Sequence, residues 1–356
     1  ARLNGNRETT NYGGDNFDAD PELSLTASIS WELDLWGNLR WARDHSTAGF
    51  LASVENCRAV KMGLVAQVAQ SYFELMALDN ELAIVRRTLE ARREGVRLAE
   101  IRFKGGLTSE IVFQQAKVEL AKTATMVPDL ERRISLKESE IALLTGDFPY
   151  AVNRNVLPEE IQLPDALPLG LPSTLLERRP DIRKAERELM AAHAEVGLAY
   201  TNMFPRLALT ATLGAESETL RDLLKSPYSY LAGNLLSPLF AMGKNRAALK
   251  AKRAAYEGAV AEYEKTVLTA FKETHDAIIN FNKIKDIYES RRQLAEASRT
   301  AVELAQLQYI NGVIGYLDLL DAQRNYFDAQ VSLSNAVCNK QLMIINLYKA
   351  LGGGWK

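Results

Sequence analysis

The chain has 356 residues, enough for one to three domains by length alone. Its 43 lysines and arginines are balanced by 45 aspartates and glutamates, so charge gives no nucleic-acid signal. No run of about 18 apolar residues exists, which argues against a transmembrane helix but not against a β-barrel, whose alternating strands leave little hydropathy trace.

Residues 1–35 read as a strand pair. Ala1 to Thr10 is weakly patterned. Asn11–Asp20, with Gly13, Gly14 and three aspartates, reads as a water-facing loop. Then Leu23, Leu25, Ala27, Ile29, Trp31, Leu33 and Leu35 alternate with Ser24, Thr26, Ser28, Ser30, Glu32 and Asp34. Thirteen such residues span about 43 Å. Soluble sandwich strands are usually far shorter, so the length favours a membrane barrel with one face to lipid and one to a wet lumen. Trp31 and Trp36 near its end suit an interfacial aromatic belt, with core packing as the alternative.

From Gly37 to Phe103 there is no proline, and Leu82, Leu89, Val96 and Phe103 recur every seven residues with Val85 and Ala99 between them. That is a coiled-coil seam on a helix of about 100 Å. Lys104-Gly105-Gly106 breaks it. Thr108 or Ser109 can cap a returning helix, whose positive end Glu110 suits. The return reaches Gly146, with Pro128 expected to kink or split it. Residues 147–172 hold five of the eleven prolines and read as a connector. A helix is expected over 173–204, a strand pair over 205–241 and a second long hairpin over 243–352, broken at Asn311-Gly312.

The second half repeats the first. One offset, that of Gly37 to Gly243, also pairs Arg40 with Arg246, Val96 with Val302, Gly106 with Gly312, Ala116 with Ala322 and Gly146 with Gly352, without a gap. The chain therefore divides into a first repeat over 1–146, the connector, and a second repeat over 173–356. The helix at 173–204 has no counterpart in the first copy, which implies some 30 residues of helix ahead of residue 1. Four strands cannot close a membrane barrel, and an open edge in lipid leaves backbone groups unpaired. Other subunits must complete it.

Four segments carry a family resemblance: Ser30-Trp31-Glu32-Leu33-Asp34-Leu35-Trp36-Gly37, Leu175-Leu176-Glu177-Arg178-Arg179-Pro180-Asp181-Ile182, Leu319-Leu320-Asp321-Ala322-Gln323-Arg324, and Leu347-Tyr348-Lys349-Ala350-Leu351-Gly352-Gly353-Gly354-Trp355. In these the chain resembles the TolC-like outer-membrane factors, most closely the OprM-like branch. The resemblance implies a mainly α protein with a membrane β-barrel portion: four strands per protomer in a trimeric twelve-stranded barrel, above a long periplasmic α-helical barrel. It implies a homotrimer in the outer membrane of a Gram-negative bacterium, docked to a periplasmic adaptor and an inner-membrane RND-type pump. The family often begins with a lipidated cysteine. The implied function is a passive conduit for drugs or other small toxic compounds. Metal-ion efflux or type I protein secretion on the same fold is the alternative, and a soluble coiled-coil scaffold is the reading from a different class.

Asp318 and Asp321 lie three apart on one helix face beyond the second tip. On spacing alone they read as a solvated face. The resemblance makes Leu317, Asp318, Asp321 and Arg324 a periplasmic gate, with the aspartates as rings of carboxylates, Leu317 narrowing the pore and Arg324 tying neighbouring helices. The family's acidic position in the first hairpin is Val112 here. The tips Gly106-Leu107-Thr108 and Gly312-Val313-Ile314 are candidate adaptor contacts, since exposed apolar residues at a hairpin end suggest a protein partner; packing on the neighbouring hairpin is the alternative. Cys57 and Cys338 form no metal pair, sit at heights about 35 Å apart on straight helices, and are expected as free buried thiols. His45, His193 and His275 lack metal spacing. No enzyme constellation, cofactor motif or nucleic-acid patch is present, and Gly352-Gly353-Gly354 reads as a helix end.

Overall fold

The structure, a computed structural model, describes residues 2–10, 18–154, 177–217, 221–222, 225–237 and 241–353, with side chains from Ser24 onward. The elements in order are β1 (Arg2–Thr10), β2 (Asp18–Leu33), α1 (Asn38–Lys104), α2 (Glu110–Thr145), α3 (Pro180–Thr201), β3 (Arg206–Ser217), β4 (Pro227–Leu236), α4 (Met242–Ile310) and α5 (Tyr316–Ala350). Residues 11–17 of the expected first loop, 155–176 of the connector and of the helix expected over 173–204, and 238–240 of the last strand lie outside the described residues. The weakly patterned start forms a full strand, and β2 begins at Asp18, within the segment expected to be a loop. The helix expected over 173–204 is regular from Pro180 to Thr201.

The chain forms two compact units. One comprises residues 1–53 and 184–264, the other 54–183 and 265–356, so each draws on both sequence copies.

In the first unit the strands form one antiparallel sheet in the order β1-β2-β3-β4. Register puts Ile29 opposite Ala211 and Ala211 opposite Leu231, while Trp31 faces Leu209. Directly paired residues share a face, so the odd-numbered positions make one apolar surface. It is uncovered: Ile29, Trp31, Leu213, Leu231 and Leu235 are all exposed. The even face carries Ser30 and Thr210, whose hydroxyls hydrogen-bond at 3.1 Å, and Thr212 opposite Tyr230. Period-two patterning thus becomes a sheet whose apolar face has no partner among the described residues.

In the second unit the seam residues Leu75, Leu78, Leu82 and Val85 of α1 bury against Leu130, Ile134 and Ile141 of α2. Each such burial stabilises by about 1.5–3 kcal/mol. That is enough to offset a proline, which costs about 3 kcal/mol in a helix interior; α2 runs through Pro128 without being split. Arg179 anchors the start of α3: it donates to Asp181 and Glu273, each at 2.6 Å, and to the Ala350 carbonyl at 3.3 Å. This gives the Glu177–Asp181 motif its structural meaning. Cys338 is buried, and burial raises its thiol pKa to about 11. Cys57 corrects the expectation of two buried thiols: it is exposed. The buried residues around it, Ala52, Glu55 and Met62, lie on another face of α1.

Candidate gate and hairpin tips

Both hairpins turn the same way. Gly106 and Gly312 adopt φ of 71° and 74°, the left-handed region that glycine enters without steric cost. The Leu107 amide then donates to the Arg102 carbonyl at 2.8 Å, and the Val313 amide to the Gln308 carbonyl at 2.9 Å. These close the last turns of α1 and α4. Arg102 joins the two tips: it donates to the Ile310 carbonyl at 3.2 Å and its guanidinium lies 4.4 Å from the centre of the Tyr309 ring. Leu107 and Val313 are exposed, at 80% and 70%. Ile314 is not an exposed tip residue. It packs with Val112 and Phe113 against a core of Ala99, Ala116, Tyr309, Tyr316 and Leu320. Thr108 is half-buried, and Ser109 holds the N-cap position without a side-chain capping bond.

Leu317, Asp318, Asp321 and Arg324 all lie on the first turns of α5, yet they do different things. Asp318 accepts the Gly315 amide at 3.0 Å and so satisfies a free donor at the helix start. Asp321 accepts from the Asn325 amide at 3.1 Å. The two aspartates line a groove of about 710 Å³ between α4 and α5, together with Asn325 and Asp328. Leu317 is 60% exposed. Arg324 turns to the first hairpin and donates to Glu119 of α2.

Glu119 was not evident from the sequence. Its side chain is buried and also meets Lys122 at 3.4 Å and Arg92 at 3.9 Å. Arg92 of α1 donates to Gln323 of α5 at 2.6 Å. The hydrogen bond from Arg324 holds the Glu119 carboxyl below its usual range, and burial depresses Arg92. Two arginines and one carboxylate therefore link α1, α2 and α5. The signal in the sequence was Arg92 itself, which occupies the seam position between Val85 and Ala99 where an apolar residue belongs.

Trp31 stands on the apolar sheet face. Trp36 stacks on Phe204 with ring centres 4.7 Å apart and donates its indole N–H to the Pro205 carbonyl at 2.9 Å. Among the described residues no group of three or more histidine, cysteine or carboxylate side chains could hold a metal.

An alternating sheet with an uncovered apolar face, on a chain with two very long helical hairpins, defines a membrane-channel subunit of the TolC-like type. The chain belongs to the outer membrane efflux protein family, whose pattern matches residues 1–147 and 171–353. It is 35% identical over 335 residues to outer membrane protein OprJ of Pseudomonas aeruginosa, covering 91% of this chain and 68% of that one. It is 29% identical over 338 residues to cation efflux system protein CusC of Escherichia coli, covering 94% and 73%. Among solved structures, the open state of the Neisseria gonorrhoeae MtrE outer membrane channel superposes with a TM-score of 0.84 at 29% identity, over 100% of this chain and 80% of that one. The protein is thus an efflux channel subunit of the Gram-negative outer membrane.

Proposed function

We propose that three copies of this chain close a twelve-stranded barrel and that the assembled duct docks to a periplasmic adaptor and an inner-membrane RND-type pump. The sheet carries the reading. Its outer strands β1 and β4 have no further neighbour among the described strands, and its apolar face is bare. In lipid each unpaired backbone group costs several kcal/mol, so the sheet needs other copies at both edges.

Asp318 and Asp321 would present rings of carboxylates at the periplasmic entrance, with Leu317 beside them. The Arg324–Glu119 bond would hold the second hairpin against the first. Leu107 and Val313, on turns formed by Gly106-Leu107-Thr108 and Gly312-Val313, are the adaptor contacts; Ile314 supports them from beneath. Cargo is drugs or other small toxic compounds, selected by the pump and adaptor. Purified protein in a planar bilayer should give discrete channels, and its native mass should be that of three chains. A monomer that conducts nothing would overturn the reading.

A further inference from the structure

The first turns of α4 carry a charge pattern that efflux does not explain. From Met242 to Tyr256 the sequence has five basic residues and no acidic one, in a chain whose net charge is −2. Lys252 is paired with Glu195 at 2.7 Å. Lys244, Arg246, Lys250 and Arg253 are exposed and have no ion pair among the described residues. Helix stability gives no reason for them, because cations at a helix start oppose its dipole.

Arg246, Lys250 and Arg253 are four and three residues apart and so form a stripe on one side of α4. The exposed Met242 lies four residues before Arg246 on the same side. This end of the helix is fixed at the foot of the sheet. Asn245 donates to the Asn202 carbonyl at 3.0 Å, and Arg206, the first residue of β3, donates to the Asn202 side chain at 2.6 Å. Helical side chains lean toward the N-terminus, which here is the sheet end.

The two copies differ at this place. In the first, Arg40 is neutralised by Asp34 at 3.3 Å. By the repeat, Asp34 corresponds to Phe240 and Asn38 to Lys244. The second copy has an aromatic residue in place of the acid and a base in place of the amide, and among the described residues Arg246 has no carboxylate like the one that Arg40 meets.

We infer that Arg246, Lys250 and Arg253 bind the anionic phospholipid headgroups of the leaflet that surrounds the foot of the barrel. The inference rests on the barrel reading above, which places the bare apolar face in lipid. The stripe spans about 10 Å along the helix. A headgroup layer is about 5–7 Å deep, and long basic side chains reach up to it. An apolar residue followed by a basic stripe is the expected order on leaving the hydrocarbon.

The test uses the purified, assembled protein and its R246Q/K250Q/R253Q variant. Thermal melting is followed while phosphatidylglycerol, phosphatidylcholine of the same chain length, or inorganic phosphate is added. Wild type should bind phosphatidylglycerol in preference to phosphatidylcholine, with the preference weakened by salt. The variant should lose about tenfold or more of that preference, since each basic residue near an anionic surface contributes about 1 kcal/mol. An equal response of variant and wild type overturns the inference. So does reproduction of the effect by inorganic phosphate alone. Dissociation of the variant in phosphatidylcholine would assign the stripe to a subunit contact instead and likewise overturn it. If the triple variant does not fold, K250Q carries the same comparison with a smaller loss. Conductance in phosphatidylcholine bilayers separates the two readings: channels that persist while the lipid preference is absent defeat only the headgroup site.

Discussion

Arg324 of α5 donates to Glu119 of α2, and the two ends of this bond sit in unlike surroundings: 8% of the Glu119 side chain is exposed, against 49% for Arg324. Loss of either end therefore costs differently. Glu119→Ala strands the buried Arg92, whose Nε already lacks a partner among the described residues, and should destabilise by about 3 kcal/mol. Arg324→Gln leaves Glu119 with Arg92 and Lys122 and removes a half-exposed partner, a loss of about 1 kcal/mol. Chemical unfolding of both variants checks the order. If the bond holds the second hairpin against the first, both should also raise single-channel conductance.

The same bond sets a pH window. Glu119 titrates below the ordinary glutamate value of 4.5, chiefly because Arg324 hydrogen-bonds the charged form. A carboxyl whose folded pKa is depressed contributes stability that is complete above the unfolded pKa and is lost as pH falls through the folded one. The stability gap between wild type and Glu119→Gln should accordingly stay constant from neutral pH to about 5 and shrink only in more acid solution. Melting curves of the pair across pH measure it. A gap that closes between pH 7 and 6 would place the controlling group elsewhere.

The limits of the sequence are visible along α1. The heptad of Leu82, Leu89 and Val96 located the seam, and Val85 and Ala99 are buried as that spacing requires. Gly105-Gly106 and Asn311-Gly312 located the two turns. Glu119 was hidden because its partners lie on three helices far apart in sequence, and no local period encodes such a meeting. Ile314 packs inward beside exposed Val313, a difference hidden in sequence because a turn residue looks the same there whether it points out or in. The strand pattern survived best, since alternation alone assigns the faces and the register kept them together across β2, β3 and β4.

The helix-capping bond of Asp318 can be separated by substitution from the gate role proposed for it. Its carboxylate caps α5 through the Gly315 amide, a bond that an asparagine carbonyl can replace. Asp318→Ala should cost about 1 kcal/mol of stability, whereas Asp318→Asn should cost little. D318N/D321N removes the charge and keeps the cap. Its channels should show lower cation-over-anion permeability in reversal-potential measurements. Unchanged selectivity would show that the aspartates are a solvated helix face.

The tips separate docking from packing. Leu107→Glu and Val313→Glu alter exposed residues, so stability should move by no more than about 0.5 kcal/mol. Assembly should persist while efflux in cells is lost. Ile314→Glu instead buries a charge in the Tyr309–Tyr316 cluster and should unfold the tip. Native mass and drug-susceptibility assays distinguish these outcomes. Loss of assembly in Leu107→Glu would mean that the tip packs on a neighbouring subunit.

The two tryptophans should differ in what holds them. Trp31 stands on the bare face of β2, 65% exposed and opposite Leu209, with no hydrogen bond among the described residues. In lipid its indole would gain by area alone, and Trp31→Phe would keep most of that apolar surface. Trp36 is 48% exposed, stacked on Phe204, and spends its N–H on the Pro205 carbonyl. Trp36→Phe retains the stacking but leaves that carbonyl without its donor, and should cost about 1 kcal/mol. Variants keeping one of the two, with Trp41 and Trp355 replaced in both, allow each to be read by fluorescence in bilayers of brominated phospholipid. Deeply placed bromine should quench Trp31 more than Trp36, because Trp36 follows the end of β2 at the edge of the sheet, where an indole with one apolar face and one satisfied N–H belongs. Equal quenching from bromine at every depth would remove Trp31 from the hydrocarbon, and with it the assignment of the odd-numbered sheet face to lipid.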